Sequence, residues 1–306
     1  MSPAEYPDFY LVGAPKCGTT ALYDFLGQHP QIFLPRTKEL LHFASDLSYP
    51  TRLSENEFLA HFADRQGEQR AGTAHTAYLQ SKRAAREIKS KRPDADIIIM
   101  LRDPAEMVHS WHSELVYETI EDIEDFEAAL DAEPDRRLGT RIPKNALNSY
   151  VESLYYSDVA AFSEQVNRYL DAFGRSHMHV ILNEDLRADP EATYRETLSF
   201  LGVDPTYVPE FGVLNPNKVV RSRTLQKVYF GTAAPGHRVI RKLIPRGVRQ
   251  RLLAVNVRDE PRTEMPPDVR RRLEHLFRDD AARLGELIQR DLSGWLEPSS
   301  VSSGEG

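Results

Sequence analysis

The sequence predicts an α/β fold of three layers, a central parallel sheet flanked by helices, with a C-terminal helical segment added. Three observations lead there. Short apolar runs at Phe9–Val12, Ile97–Leu101 and Met178–Leu182 are bounded by turn or charged residues and have the length of buried strands. Helix-compatible stretches separate them, as the crossovers of a parallel sheet require. The first run enters Gly13-Ala14-Pro15-Lys16-Cys17-Gly18 and then opens into a helix-compatible segment. Strand, glycine loop and helix N-terminus in that order make the fold P-loop-like, because the free N–H groups of a first helical turn face an anion and the helix dipole adds to the attraction.

The elements follow in order. Thr20–Gln28 is the helix after the loop, and Ser81–Lys91 the next clear one. Ile97–Leu101 is a strand ending in Arg102-Asp103-Pro104, and Pro104–Val116 a helix entered through that proline. Ser149–Phe173 reads as one long helix leading to the strand Met178–Leu182. Pro190–Leu201 is entered through Asp189-Pro190 and stops at Gly202. From Pro266 to Trp295 an amphipathic helix is predicted, with Val269, Leu273, Leu276, Phe277 and Leu284 as its apolar stripe. Residues 1–298 form a single domain, with a nucleotide-binding core over about 9–225 and a basic helical segment over about 226–298; the Ser/Gly tail 299–306 is expected to be disordered.

Composition narrows the function. At 306 residues, 41% hydrophobic and 28% charged, the chain has the make-up of a soluble globular protein that can bury a full core. A net charge of −7 speaks against general nucleic-acid binding. One cysteine, Cys17, allows no intrachain disulfide, and with no membrane-length apolar run and no secretory pattern at the start, a cytoplasmic setting is expected. No His/Cys cluster has metal-ligand spacing, so no metal is expected. Oligomeric state stays open. Two charge blocks stand out. Glu118–Asp135 holds nine acidic residues and no Lys or Arg, with Ile123, Phe126, Ala129 and Leu130 at helical spacing, as a solvated helix would. The stretch 218–251 holds ten Lys/Arg and no acid; it suits a membrane, a partner, or closure over an anionic cofactor.

Two anion sites carry the chemistry. The phosphate loop of ATPases and GTPases ends Gly-Lys-Ser/Thr, but here Thr19 stands where the lysine would be and the lysine is Lys16, inside the loop. Pro15, Lys16, Cys17, Gly18, Thr19 and Thr20 form the first site; Lys16 supplies charge, and the threonines supply hydroxyl donors. At the second, Arg102 ends a strand at the ligand rim and Ser110 lies about two turns along the next helix. An NTPase would want an acidic residue there for magnesium.

The displaced lysine followed by Gly18-Thr19-Thr20 resembles the 5′-phosphosulfate loop of sulfotransferases that use 3′-phosphoadenosine 5′-phosphosulfate (PAPS). Arg102-Asp103-Pro104 with Ser110 resembles their 3′-phosphate site. His29-Pro30 with Lys38-Glu39-Leu40-Leu41-His42-Phe43, and Gly72-Thr73-Ala74-His75-Thr76-Ala77-Tyr78-Leu79, resemble segments of the heparan-sulfate-type and bacterial branch. The resemblance covers roughly residues 9–225. It implies PAPS as co-substrate, an unidentified acceptor as partner, Lys16 as stabiliser of the leaving phosphate, and a general base, Glu39 first, with His42 and His75 as rivals. Glu39 could otherwise form a surface ion pair with Lys38 or Arg36. Arg221 and Arg223 fall where the family closes a loop over the nucleotide. Two departures matter: two residues separate Glu39 from His42 where relatives commonly have one, and Thr73-Ala74 replaces a Glu and a Lys. Cys17 sits at a helix N-terminus, an environment that lowers a thiol pKa, but no His-Asn or His-Asp partners can be placed, so it is read as a loop-filling residue whose alkylation would block the cofactor. Against a sulfotransferase acting on a small molecule, natural product or sugar stand a P-loop kinase or NTPase using Mg-ATP, and a non-catalytic anion-binding module.

Overall fold

The structure is a computed structural model that describes residues 5–212, 218–220, 257–259 and 264–296. Arg221, Arg223, most of the basic stretch and the tail 299–306 lie outside the described residues. Five parallel strands, β1 (Phe9–Leu11), β2 (Ile32–Phe33), β3 (Arg70–Ala74), β4 (Asp96–Leu101) and β5 (Met178–Leu182), make one sheet in the order β2-β3-β1-β4-β5. The chain leaves β1, builds β2 and β3 on one side, then crosses to β4 and β5 on the other. The strand order therefore reverses between β1 and β4, and ligands of open parallel sheets bind beyond the strand ends at such a point.

Helices cover the sheet: α1 (Thr19–Leu26), α2 (Glu55–Ala60), α3 (Ala77–Gln80), α4 (Ala84–Lys91), α5 (Pro104–Tyr117), α6 (Phe126–Asp131), α7 (Glu133–Arg137), α8 (Tyr156–Val159), α9 (Phe162–Phe173), α10 (Asn183–Ala188), α11 (Pro190–Leu201) and α12 (Pro267–Ile288). A separate antiparallel pair joins Lys218–Val220 to Val257–Asp259. β1 and β4 are wholly apolar from Ile97 on and fully buried, which is why their runs are continuous instead of alternating. α9 packs on β4, β5 and α4, α1 on α11, and α12 lies across α9 and α5.

Sequence reading and structure differ at four places. The predicted helix Ser149–Phe173 is broken into a 3₁₀ turn at Val151–Leu154, then α8 and α9, with non-helical backbone at Tyr155 (φ −92°, ψ 77°) and Ala161 (φ −76°, ψ 67°). β2 is only two residues long, and β3 carries no apolar run. β3 needs a glycine instead, since a Cβ on Gly72 would sit 2.1 Å from the Phe9 ring. Leu276, placed in the apolar stripe of α12, is 54% exposed, while Val269, Leu273, Phe277 and Leu284 are buried. In the acidic block, Glu121 and Glu133 do not face solvent: Glu121 is paired with the buried Arg136 at 2.7 Å, and Glu133 with Arg137 at 2.6 Å.

Candidate functional site

The loop after β1 is stitched to the neighbouring strand by two backbone hydrogen bonds, Ala14 N–H to Met100 O (2.6 Å) and Met100 N–H to Gly13 O (2.7 Å). That fixes the Lys16 turn beside the end of β4, from which Arg102 follows. Gly18 caps α1 in the left-handed region (φ 94°), with no side-chain cap and no acidic residue in the first turn. The α1 N-terminus thus keeps its donors and its positive end for an anion. A Cβ on Gly18 would meet Asn183 Nδ2 at 2.9 Å, and the same amide donates to Cys17 O at 3.0 Å. Asn183 at the end of β5 therefore holds the loop from below; nothing in its local sequence signalled this. Thr20 is exposed and Thr19 buried.

Cys17 corrects an expectation. Its thiol is fully buried and donates to Pro15 O at 3.3 Å. Burial pushes its pKa up, against the smaller downward pull of Arg102 and Lys16. The helix N-terminus does not make it a reactive thiolate.

Lys16 projects from a left-handed backbone (φ 60°), a conformation that costs a non-glycine residue energy, and donates to Glu114 on α5 at 2.8 Å. Arg102, 12% exposed, donates to Glu106 at 3.0 Å. Ser110 is buried in α5, one turn before Glu114. Sequence reasoning missed Glu114, although its spacing of four from Ser110 puts both on one helix face.

Glu39 is the second residue held in the left-handed region within this site (φ 64°). Its carboxylate accepts from Thr76 N–H at 2.9 Å and pairs with Lys38, so the surface-pair alternative is present together with a contact to the loop after β3. Burial would raise its pKa, but Lys38, His75 and the Thr76 N–H together hold it below the usual carboxylate value. His75 Nδ1 lies 3.6 Å from Glu39 yet accepts from Ala77 N–H at 3.2 Å, so its proton belongs on Nε2. Burial lowers the His75 pKa, against the upward pull of the Glu39 charge. His42 is committed elsewhere: Nδ1 lies 2.8 Å from Leu53 O, Nε2 lies 3.3 Å from Tyr6 OH, and the ring stacks on Phe58. Both ring nitrogens of His42 therefore have partners other than Glu39.

Beyond Lys16 the walls become acidic and aromatic. Glu118 caps the end of α5, its pKa raised to about 7 by burial first and then by the charge of Glu114. Tyr49 stacks on Tyr150 with centroids 4.3 Å apart and meets His75 edge-on at 5.8 Å. Among the described residues no group of three or more His, Cys, Asp or Glu could hold a metal ion. Glu118 gives a stability test. Between its unfolded value near 4.5 and its folded value near 7, the native carboxyl keeps a proton that the unfolded chain has lost. Its contribution is therefore complete below about pH 4.5 and falls as pH rises to about 7. Glu118→Gln is expected to raise the urea midpoint more at about pH 8 than at about pH 4, and an equal change at both would contradict the raised value.

Comparison with known proteins adds to this geometry. A family model described as "Sulfotransferase domain" matches residues 6–232. The chain is 28% identical over 224 residues to the bifunctional heparan sulfate N-deacetylase/N-sulfotransferase 4 of Mus musculus, covering 66% of this chain and 23% of that protein. It is 27% identical over 225 residues to the corresponding enzyme 3 of Homo sapiens, with the same two shares. The chain thus spans less than a quarter of the length of these curated relatives. The crystal structure of a sulfotransferase from Alicyclobacillus acidocaldarius superposes with a TM-score of 0.72 at 30% identity, over 95% of this chain and 99% of that one.

Proposed function

Because this chain belongs to the sulfotransferase domain family, we propose that it transfers a sulfuryl group from PAPS to a hydroxyl or amine of a small acceptor. The observation that carries the proposal is the pairing of the Lys16 loop with Arg102 at the ends of the adjacent parallel strands β1 and β4. The donor set fits the nucleotide. Lys16, the uncapped α1 N-terminus and the Thr20 hydroxyl are suited to the 5′-phosphosulfate, and the Arg102 guanidinium to the 3′-phosphate.

In this reading the acceptor oxygen or nitrogen attacks sulfur in line. The bridging S–O bond breaks and adenosine 3′,5′-bisphosphate leaves, while the acceptor proton passes to Glu39. Lys16 moves from Glu114 to the bridging oxygen, where its charge opposes the charge growing on the leaving phosphate. The acceptor side, with Glu39, Glu114, Glu118 and the Tyr49–Tyr150 stack, favours an uncharged or cationic small molecule, natural product or sugar. Turnover of a heparan-type polyanion at a rate matching small acceptors would overturn that preference.

Calorimetry distinguishes the nucleotide classes. Adenosine 3′,5′-bisphosphate is expected to bind without magnesium, and Arg102→Ala to weaken it by about 30-fold or more, the usual cost of losing a charge-assisted phosphate contact. Preference for ATP with magnesium would instead make the chain a kinase or NTPase.

A further inference from the structure

The second anion site has a component that arrives from the far end of the chain. Arg270, in the first turn of α12 and 11% exposed, places its guanidinium against the Arg102-Asp103-Pro104 turn. It pairs with Asp103, the N-cap of α5, and reaches Glu106 Oε1 at 3.5 Å. It also donates through Nε to Glu274 at 2.6 Å, and through Nη2 to Trp295 O at 3.3 Å. Glu106 is therefore shared: one carboxylate oxygen faces Arg270, and the other accepts from Arg102 at 3.0 Å.

A helix that merely docked would not need this arrangement. Glu106 is the group on which Arg102 rests, and a carboxylate with a single cation beside it would close on that cation as a full ion pair. With Arg270 on its other oxygen, Glu106 is divided between two guanidiniums. The local charge also depends on Arg270. Among the described residues, Asp103, Glu106 and Glu274 are paired with two arginines, Arg102 and Arg270, and without Arg270 only Arg102 is left, beside a site that has to accept a phosphate.

We propose that Arg270 is a positioning residue of the 3′-phosphate site, holding Glu106 and Asp103 so that Arg102 stays available to the nucleotide; this rests on the donor assignment above. The C-terminal helix thereby takes part in the chain's discrimination between nucleotides with and without a 3′-phosphate.

The test is the ratio of Kd values for 5′-AMP and adenosine 3′,5′-bisphosphate, measured by calorimetry on the full chain. Arg270→Gln is expected to reduce the wild-type ratio about tenfold or more, with 5′-AMP affinity changed by less than about threefold. Arg270→Lys keeps a charge but cannot span three carboxylates, so an intermediate ratio is expected. A ratio equal to wild type in Arg270→Gln overturns the proposal even if its melting temperature and both affinities fall, because that pattern belongs to a purely structural residue. Should Arg270→Gln not fold, Arg270→Lys decides alone by the same criterion. A wild-type chain that binds the two nucleotides equally would defeat the donor assignment itself, which is distinct from a discriminating wild type whose Arg270 variants discriminate equally well.

Discussion

Lys16→Ala is expected to lower kcat for sulfuryl transfer by about 10²–10³, the range seen when one preorganised donor to a developing charge is removed. The affinity for adenosine 3′,5′-bisphosphate should fall by less than about tenfold, because the α1 N-terminus and Arg102 remain. This split follows from what Lys16 does before reaction. Its ammonium is already neutralised by Glu114 at 2.8 Å, so the ground state gains little by exchanging one anion for another. The gain comes when the bridging oxygen acquires charge. The alanine variant keeps the left-handed backbone strain, since alanine carries the same Cβ and too disfavours φ 60°. Product formation and calorimetry on the same preparation measure the two quantities. A kcat within about threefold of wild type would remove Lys16 from the chemistry.

Glu39→Gln is expected to cost about 10²–10⁴ in kcat, the usual worth of a positioned general base, with little change in KM for the donor. Glutamine can still accept the Thr76 N–H bond that ties the residue to the loop after β3, so the backbone should survive the change. The pH profile adds a second signature. The Glu39 carboxyl sits below the usual carboxylate value, so the base is ionised throughout the neutral range. Activity should then persist on acidification until pH falls through that lowered value. A limb near pH 7 would point to Glu118, whose pKa is raised to about 7, and Glu118→Gln would then abolish the limb.

Much of this was readable from the residues, for physical reasons that also explain the omissions. β1 and β4 were legible because a strand buried on both faces must be apolar without interruption, as Ile97–Leu101 is, whereas the edge strand β5 kept a readable apolar end at Val180–Leu182. β3 was not, because Gly72 is required by the Phe9 ring of the neighbouring strand, a tertiary demand with no local trace. The Ser149–Phe173 region kept apolar residues at near-helical spacing, but the chain turns twice, at Tyr155 and Ala161, to bury Leu154, Tyr156 and Phe162. The Lys16 loop and Arg102 were visible because each proposed anion site is local in sequence. Glu114, Asn183 and Arg270 act across 98, 166 and 167 residues of chain, and no spacing rule reaches that far.

The sealed sulfhydryl at Cys17 has a practical corollary. It is the sole cysteine of the chain and its side chain is buried within the loop with no exposed surface, so maleimide reagents should leave the native molecule untouched. A cysteine introduced on the surface, for instance Leu138→Cys where the side chain is 81% exposed, would carry a fluorophore at one defined position. The wild-type background then needs no thiol removed, and optical reporters become possible without disturbing the turn after β1.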